Sequence, residues 1–244
     1  MKENILITGG SGLLALNWAT TMREKFNITL GLHDRKVNLK DTTSILLDLD
    51  SKEALTRALE AFQPQLVIHA AGLTSVEQCE ANPTLAKHIN VDLTQNLVIV
   101  CTKLNIPMVY ISTDHLFSGN ESLVHEDYPV SPVNVYAKTK AEAETCVLDS
   151  DAKALIIRTN FYGWGTSYRQ SFSDMVLNHL RAGKKISLFK DIYYTPMLIE
   201  PLVNSVHELI NKKAKGVFNV VGDDRISKYD FGVKLAKEFN LNND

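Results

Sequence analysis

Short apolar runs rich in β-branched residues alternate with longer amphipathic segments through residue 158, and this alternation restricts the fold more than any other feature. Residues 5–8, 28–32, 45–48, 66–70, 108–112 and 154–158 read as strands. Between them, helical patterns cover 12–25, 52–62, a long stretch from Pro83 to Leu104, and 137–148. Residues 66–70 are apolar throughout, as a strand covered on both faces must be. Regular strand–helix alternation demands right-handed crossovers and yields a parallel sheet with helices on both sides. The reading is an α/β chain, a Rossmann doubly wound parallel sheet over residues 1–160.

Beyond Arg158 the rhythm loosens. Residues 161–169, with Tyr, Gly and Trp, read as an irregular loop, and 171–183 as a helix ending at Gly183. Residues 186–189 and 217–221 read as strands; 201–211 and 227–239 read as helices, the last with Ser227 as its N-cap. Residues 161–244 are read as a smaller C-terminal substrate lobe with a soft boundary and discontinuous elements.

Composition excludes more than it assigns. Lys and Arg number 26 against 28 Asp and Glu, so the basic excess of a nucleic-acid binder is missing. No apolar run approaches the roughly 18 residues that cross a bilayer, and residues 1–8 lack a signal-peptide pattern. Cys79, Cys101 and Cys146 are odd in number and far apart, which suits buried thiols in a reducing cytoplasm rather than a disulfide frame or a metal site.

Between the first strand and the first helix lies Thr8-Gly9-Gly10-Ser11-Gly12-Leu13-Leu14-Ala15. Glycines at this place let backbone approach a pyrophosphate, and the amides that open the next helix face the anion. Ala15 takes the place of a third glycine, where helix packs on strand. After the second strand comes His33-Asp34-Arg35-Lys36. A carboxylate at Asp34 suits the free ribose 2′-hydroxyl of NAD, whereas Arg35 and Lys36 suit the 2′-phosphate of NADP. The two signals conflict, and the cofactor is read as NAD or NADP.

Tyr136 and Lys140 stand four residues apart, on one face of a helix. A nearby ammonium favours the ionised phenol and is expected to lower its pKa from about 10. A phenol so tuned exchanges a proton with a carbonyl oxygen. Ser112-Thr113-Asp114 closes the fifth strand, at the edge where parallel sheets open into ligand crevices. The Thr113 hydroxyl is expected to hold a substrate carbonyl against Tyr136.

With these blocks in order, the sequence resembles the extended short-chain dehydrogenase/reductases, most closely the dTDP-4-dehydrorhamnose reductase branch. The matching blocks are T-G-G-S-G-L-L-A at 8–15, H-A-A-G at 69–72, I-S-T-D-H-L-F at 111–117, S-P-V-N-V-Y-A-K-T-K-A-E-A-E at 131–144 and I-I-R-T-N-F-Y-G at 156–163. The resemblance implies a reductase of a nucleotide-linked 4-keto-6-deoxy sugar, with Tyr136 as proton donor, Lys140 tuning it and holding the nicotinamide ribose, and Thr113 on the carbonyl oxygen. It implies a cofactor site of Gly9, Gly10, Ser11, Gly12 and Leu13 at the pyrophosphate, and Asp34 or Arg35 at the ribose. Asp48 and Leu49 would meet adenine, Ala70, Ala71 and Gly72 would line the channel, and Asn90 would support the active-site backbone. A homodimer is a further implication.

The sequence departs from the family at His115, where relatives often carry tyrosine, and at 190–196, which loosely matches the substrate-side motif D-Q-x-G-x-P-T. It also stops at Asp244 where members usually continue, so either the chain is shortened or part of the substrate lobe is absent. Two alternatives stay open: a nucleotide-sugar epimerase or dehydratase that retains NAD, and a non-catalytic NADP-binding regulatory subunit.

Overall fold

The computed structural model describes residues 2–150 and 153–242. The main sheet contains β1 (Asn4–Thr8), β2 (Asn27–Leu32), β3 (Thr43–Leu46), β4 (Leu66–His69), β5 (Met108–Ile111) and β6 (Ala154–Arg158). Two-residue pieces follow: β7 (Phe161–Tyr162), β8 (Tyr193–Tyr194) and β9 (Met197–Leu198). Then come β10 (Gly216–Asn219) and β11 (Ile226–Ser227). The sheet order is β10-β6-β5-β4-β1-β2-β3, with all neighbours parallel. Strand order reverses between β1 and β4, so a crevice opens over their carboxyl ends.

Helices cover both faces: α1 (Leu13–Met22), α2 (Lys52–Phe62), α3 (Val76–Ala81), α4 (Pro83–Lys87), α5 (Leu93–Lys103) and α6 (Val135–Leu148), then α7 (Phe172–Arg181), α8 (Ile199–Asn211) and α9 (Lys228–Glu238). Alternation along β1 divides the core. Ile5 and Ile7 face Trp18 of α1 and Leu202, Val203 and Val206 of α8. Leu6 faces the other way, into a cluster with Leu55 and Leu59 of α2, Leu97 of α5 and Ala143 of α6. Trp18 and Leu202 are fully buried, which locks α8 onto α1. The indole N–H of Trp18 donates to Nε2 of His207 at 3.1 Å, giving that buried polar group a partner.

Three expectations change. The helix read from Pro83 to Leu104 is two helices joined by a π-helical turn, His88–Asp92; the extra residue in that turn re-aims Asn90 inward. Residues 186–189 form no strand, because they run beside α9, where Tyr229 N donates to Phe189 O at 2.9 Å. The strand read at 217–221 belongs to the main sheet, where it pairs with β6. Among the described residues no helix is long and apolar enough to cross a membrane.

Candidate active site

The turn after β1 is built for an anion. Gly9 has φ +66°, and a Cβ there would come within 2.8 Å of the Ala71 backbone after β4. Gly9 therefore lets the two loops over the sheet edge close together. Gly12 N donates to Gly9 O at 2.8 Å, folding the turn. Helix α1 starts with Gly12 as N-cap, without a capping side chain and without an acidic residue in its first turn. By contrast, Ser51, Ser75, Asn134, Ser171 and Ser227 cap α2, α3, α6, α7 and α9 through their side chains. The amides of α1 thus stay directed at the crevice, where the helix dipole favours negative charge.

A cleft of about 900 Å³ runs from this turn to the carboxyl ends of β5 and β6. It is lined by Gly9, Ser11, Gly12, Leu13, Arg35, Leu49, Ala70, Ala71, Gly72 and Asn90, and also by Thr113, Tyr136 and Lys140. The structure thus brings together residues scattered over the sequence. Three others fall outside it. Gly10 faces β2, donating to Gly31 O at 2.9 Å, and a Cβ there would meet Leu30. The Asp34 side chain is 87% exposed, with Nδ1 of the exposed His33 3.5 Å from its carboxylate. Asp48 accepts from the amides of Asp50 and Ser51 at 2.9 and 3.3 Å, so its carboxylate closes the turn before α2.

Tyr136 sits in the first turn of α6, and several bonds fix that turn. Asn134 accepts from Ala137 N at 2.8 Å, Glu80 accepts from Val135 N at 2.7 Å, and Thr139 donates to Tyr136 O at 2.8 Å. Asn160 grips both carboxylate oxygens of Asp114 at 3.1 Å, steadying the strand end that carries Thr113. The His115 ring meets Tyr136 edge-on, with centroids 5.8 Å apart.

The electrostatics differ from the sequence reading. Burial pushes the Tyr136 phenol up to about 12, against the opposing pull of its hydrogen bond with Thr113. Lys140 does not lower it, because its ammonium is engaged elsewhere. It donates to Ile111 O at 2.7 Å and lies 4.1 Å from the centroid of Tyr110. Burial in turn brings Lys140 down to about 7. A neutral phenol is the form able to give up a proton.

A buried chain of hydrogen bonds joins the end of β1 to α6. His69 is fully buried and pushed down to about 3 by burial, then by Lys140, so it is neutral. Thr94 spends its only proton on Asn90 O, at 2.7 Å. Donor counting therefore assigns the His69 proton to Nε2, which faces Thr94 at 2.9 Å. Nδ1 then accepts from Thr8 at 2.7 Å. Asn90 accepts from Leu73 N at 2.7 Å and donates to Leu73 O at 3.1 Å and to the Thr139 hydroxyl at 2.9 Å. Every hydrogen of this chain has an acceptor.

The sequence reading missed several lining residues. Thr159 and Asn160 follow β6, Asp50 and His88 stand on the far wall, and Tyr168 to Phe172 come from the loop before α7. Ser112 and Thr159 line the cleft, and their buried hydroxyls have no hydrogen-bond partner among the described residues. The uncapped helix N-terminus at one end of the cleft and the polar side chains along it fit a dinucleotide. Only the I-I-R-T-N block at 156–160 hinted at the β6 contribution.

Comparison with known proteins agrees with this architecture. Residues 1–244 match the family described as the RmlD substrate binding domain. The chain belongs to this family. One RmlD-like relative is the probable low-salt glycan biosynthesis reductase Agl14 of Haloferax volcanii, 30% identical over 95% of this chain and 78% of that protein. Methionine adenosyltransferase 2 subunit beta of Mus musculus is 28% identical over 98% of this chain and 73% of that protein. A crystal structure of dTDP-4-dehydrorhamnose reductase from Bacillus anthracis in complex with NADP superimposes with a TM-score of 0.88 at 26% identity. It covers 99% of this chain and 82% of that one. RmlD family membership thus accounts for the parallel sheet and the cleft together.

Proposed function

We propose that this chain is an NAD(P)H-dependent reductase of a nucleotide-linked 4-keto-6-deoxy sugar. The observation that carries the reading is the convergence of Thr113, half-buried Tyr136 and buried Lys140 on one cleft with the anion turn. The amide of Leu13, first in α1, would hold the pyrophosphate, the Gly12 amide being bound to Gly9 O, and Ala70, Ala71 and Gly72 would line the channel toward the nicotinamide. When bound, the reduced nicotinamide supplies hydride to the carbonyl carbon. Thr113 positions the carbonyl oxygen by its hydroxyl, and Tyr136 passes its proton to that oxygen. Lys140 holds the ribose hydroxyls. At the adenosine end, Arg35 lines the cleft and Asp34 does not, which favours a 2′-phosphate and hence NADP.

The test is loss of reduced-nicotinamide absorbance on mixing the chain with NADPH or NADH, dTDP-4-keto-6-deoxyglucose and its 3,5-epimerase. Stoichiometric loss that vanishes in Tyr136→Phe supports the reading. Binding of cofactor without turnover on any keto sugar overturns it. A non-catalytic subunit is the second reading, favoured by the 28% identity to methionine adenosyltransferase 2 subunit beta. Under that reading, Tyr136→Phe would leave assembly with a partner unchanged.

A further inference from the structure

Residues 164–170 leave the sheet after β7 and cross back over the mouth of the cleft, held at three places. Asn17 of α1 donates to Trp164 O at 2.9 Å, the Tyr168 hydroxyl donates to Ser11 O at 3.3 Å, and Arg169 donates to the Thr74 hydroxyl at 2.9 Å. These anchors lie on α1, in the anion turn and in the loop after β4, so the segment spans the switch point of the sheet. Its own shape is fixed as well. Thr166 and Arg169 exchange backbone hydrogen bonds at 3.0 and 3.2 Å, and Gly165 packs on Arg169 O and the Asp174 carboxylate with no room for a Cβ.

On this segment the Tyr168 ring supports the guanidinium of Arg35, 4.2 Å from the ring centroid. Both side chains line the cleft. Arg35 makes no salt bridge among the described residues. A long side chain in that position would sample many rotamers, and ordering it on binding would cost affinity. A planar guanidinium stacked on an aromatic face keeps its edge N–H groups free to fork onto an anion.

We propose that Tyr168 is a positioning residue for cofactor choice: it holds Arg35 ready for the 2′-phosphate, so that the lobe beyond the sheet sets the preference for NADP. This rests on the reading of the cleft as a dinucleotide site. The Tyr168 hydroxyl, bound to Ser11, orients the ring, but the ring itself supplies the support. The segment then acts on one end of the dinucleotide rather than as a general cover. A simple cover would affect NAD and NADP alike.

The experiment is calorimetric titration of the unmutated chain, Arg35→Ala, Tyr168→Ala, Tyr168→Phe and the double alanine variant with NADP⁺ and NAD⁺, without sugar. Tyr168→Ala is expected to weaken NADP⁺ about two- to fivefold and to leave NAD⁺ within error, as an exposed cation–π support allows. Tyr168→Phe should keep the NADP⁺ to NAD⁺ ratio, and the double variant should be no worse for NADP⁺ than Arg35→Ala alone. Equal weakening of both cofactors by Tyr168→Ala, or additive losses in the double variant, overturns the assignment. Failure of the unmutated chain to bind either dinucleotide overturns the cleft reading itself and this assignment with it. Binding without sugar turnover overturns only the reductase reading.

Discussion

Lys140 donates its buried ammonium proton to the backbone carbonyl of Ile111 at 2.7 Å, with no carboxylate in salt-bridge contact among the described residues. Burial brings its pKa to about 7 in the fold, against an ordinary value of 10.5, with Glu144 opposing. Between those two values the unfolded chain holds a proton that the folded chain has released, so stability rises with pH through that window. Urea unfolding of cofactor-free protein should show a gain on the order of 2 kcal/mol from pH 7 to pH 9. Lys140→Met should lose this gain. An unchanged pH slope in the variant would place the proton elsewhere.

Tyr136→Phe removes the hydroxyl and keeps the ring against His115. Loss of general acid help should lower kcat by about 10²- to 10⁴-fold. NADP⁺ affinity measured by titration should stay within a factor of two, since the anion turn and Arg35 are untouched. Because burial puts the phenol at about 12, no fall in rate from phenol ionisation should be visible below pH 9.

His69 predicts sensitivity to acid. Its pKa is held near 3 by burial, while the unfolded residue titrates near 6.5. The unfolded state takes up the proton first, so stability falls as pH drops through this window. At pH 5 the loss is about 2 kcal/mol relative to neutral pH. His69→Gln should be less stable at pH 7 but flatter with acid. If both proteins keep parallel urea midpoints from pH 7 to pH 5, the buried chain from Thr8 to Asn90 is not the acid-sensitive element.

Arg158 and Glu144 form a buried pair at 2.7 Å, with 6% and 4% of the side chains exposed. Arg158 also donates to Glu126 O at 3.0 Å, tying β6 and α6 to the loop before the catalytic helix. Arg158→Met should cost about 3–5 kcal/mol, because the Glu144 carboxylate would be left buried and unpaired. Combining it with Glu144→Leu should recover a large part of that loss, and thermal unfolding of the two variants decides the point.

Much of the fold was written in local pattern. Residues 52–62 and 154–158 match the observed helix and strand, because an amphipathic period and a doubly buried apolar run need little help from distant contacts. The π-helical turn was invisible, since Asn90 is drawn inward by Leu73 and Thr139 rather than by its neighbours in sequence. The glycine turn and the Tyr136–Lys140 spacing marked the cleft, but spacing could not show where the Lys140 ammonium goes. Asp34 and Arg35 were indistinguishable in sequence. In the fold they separate: Arg35 lines the cleft beneath Tyr168, from the stretch read as an irregular loop, and Asp34 does not. Distant partners decide such details, and a single sequence does not carry them.

Strand β10 pairs with β6, and its Asn219 also grips Glu126 and Val124 of the loop before α6 at 2.9 and 3.0 Å. A chain made only through Lys140 therefore already holds Thr113 and Tyr136 and still lacks the strands that complete the sheet beside them. Until residue 219 leaves the ribosome, β6 offers bare backbone to any neighbouring strand, an open template for wrong pairing. Residues 216–219 thus close an edge that residues 154–158 leave open, so the sheet beside the cleft is finished only by a segment far along the chain.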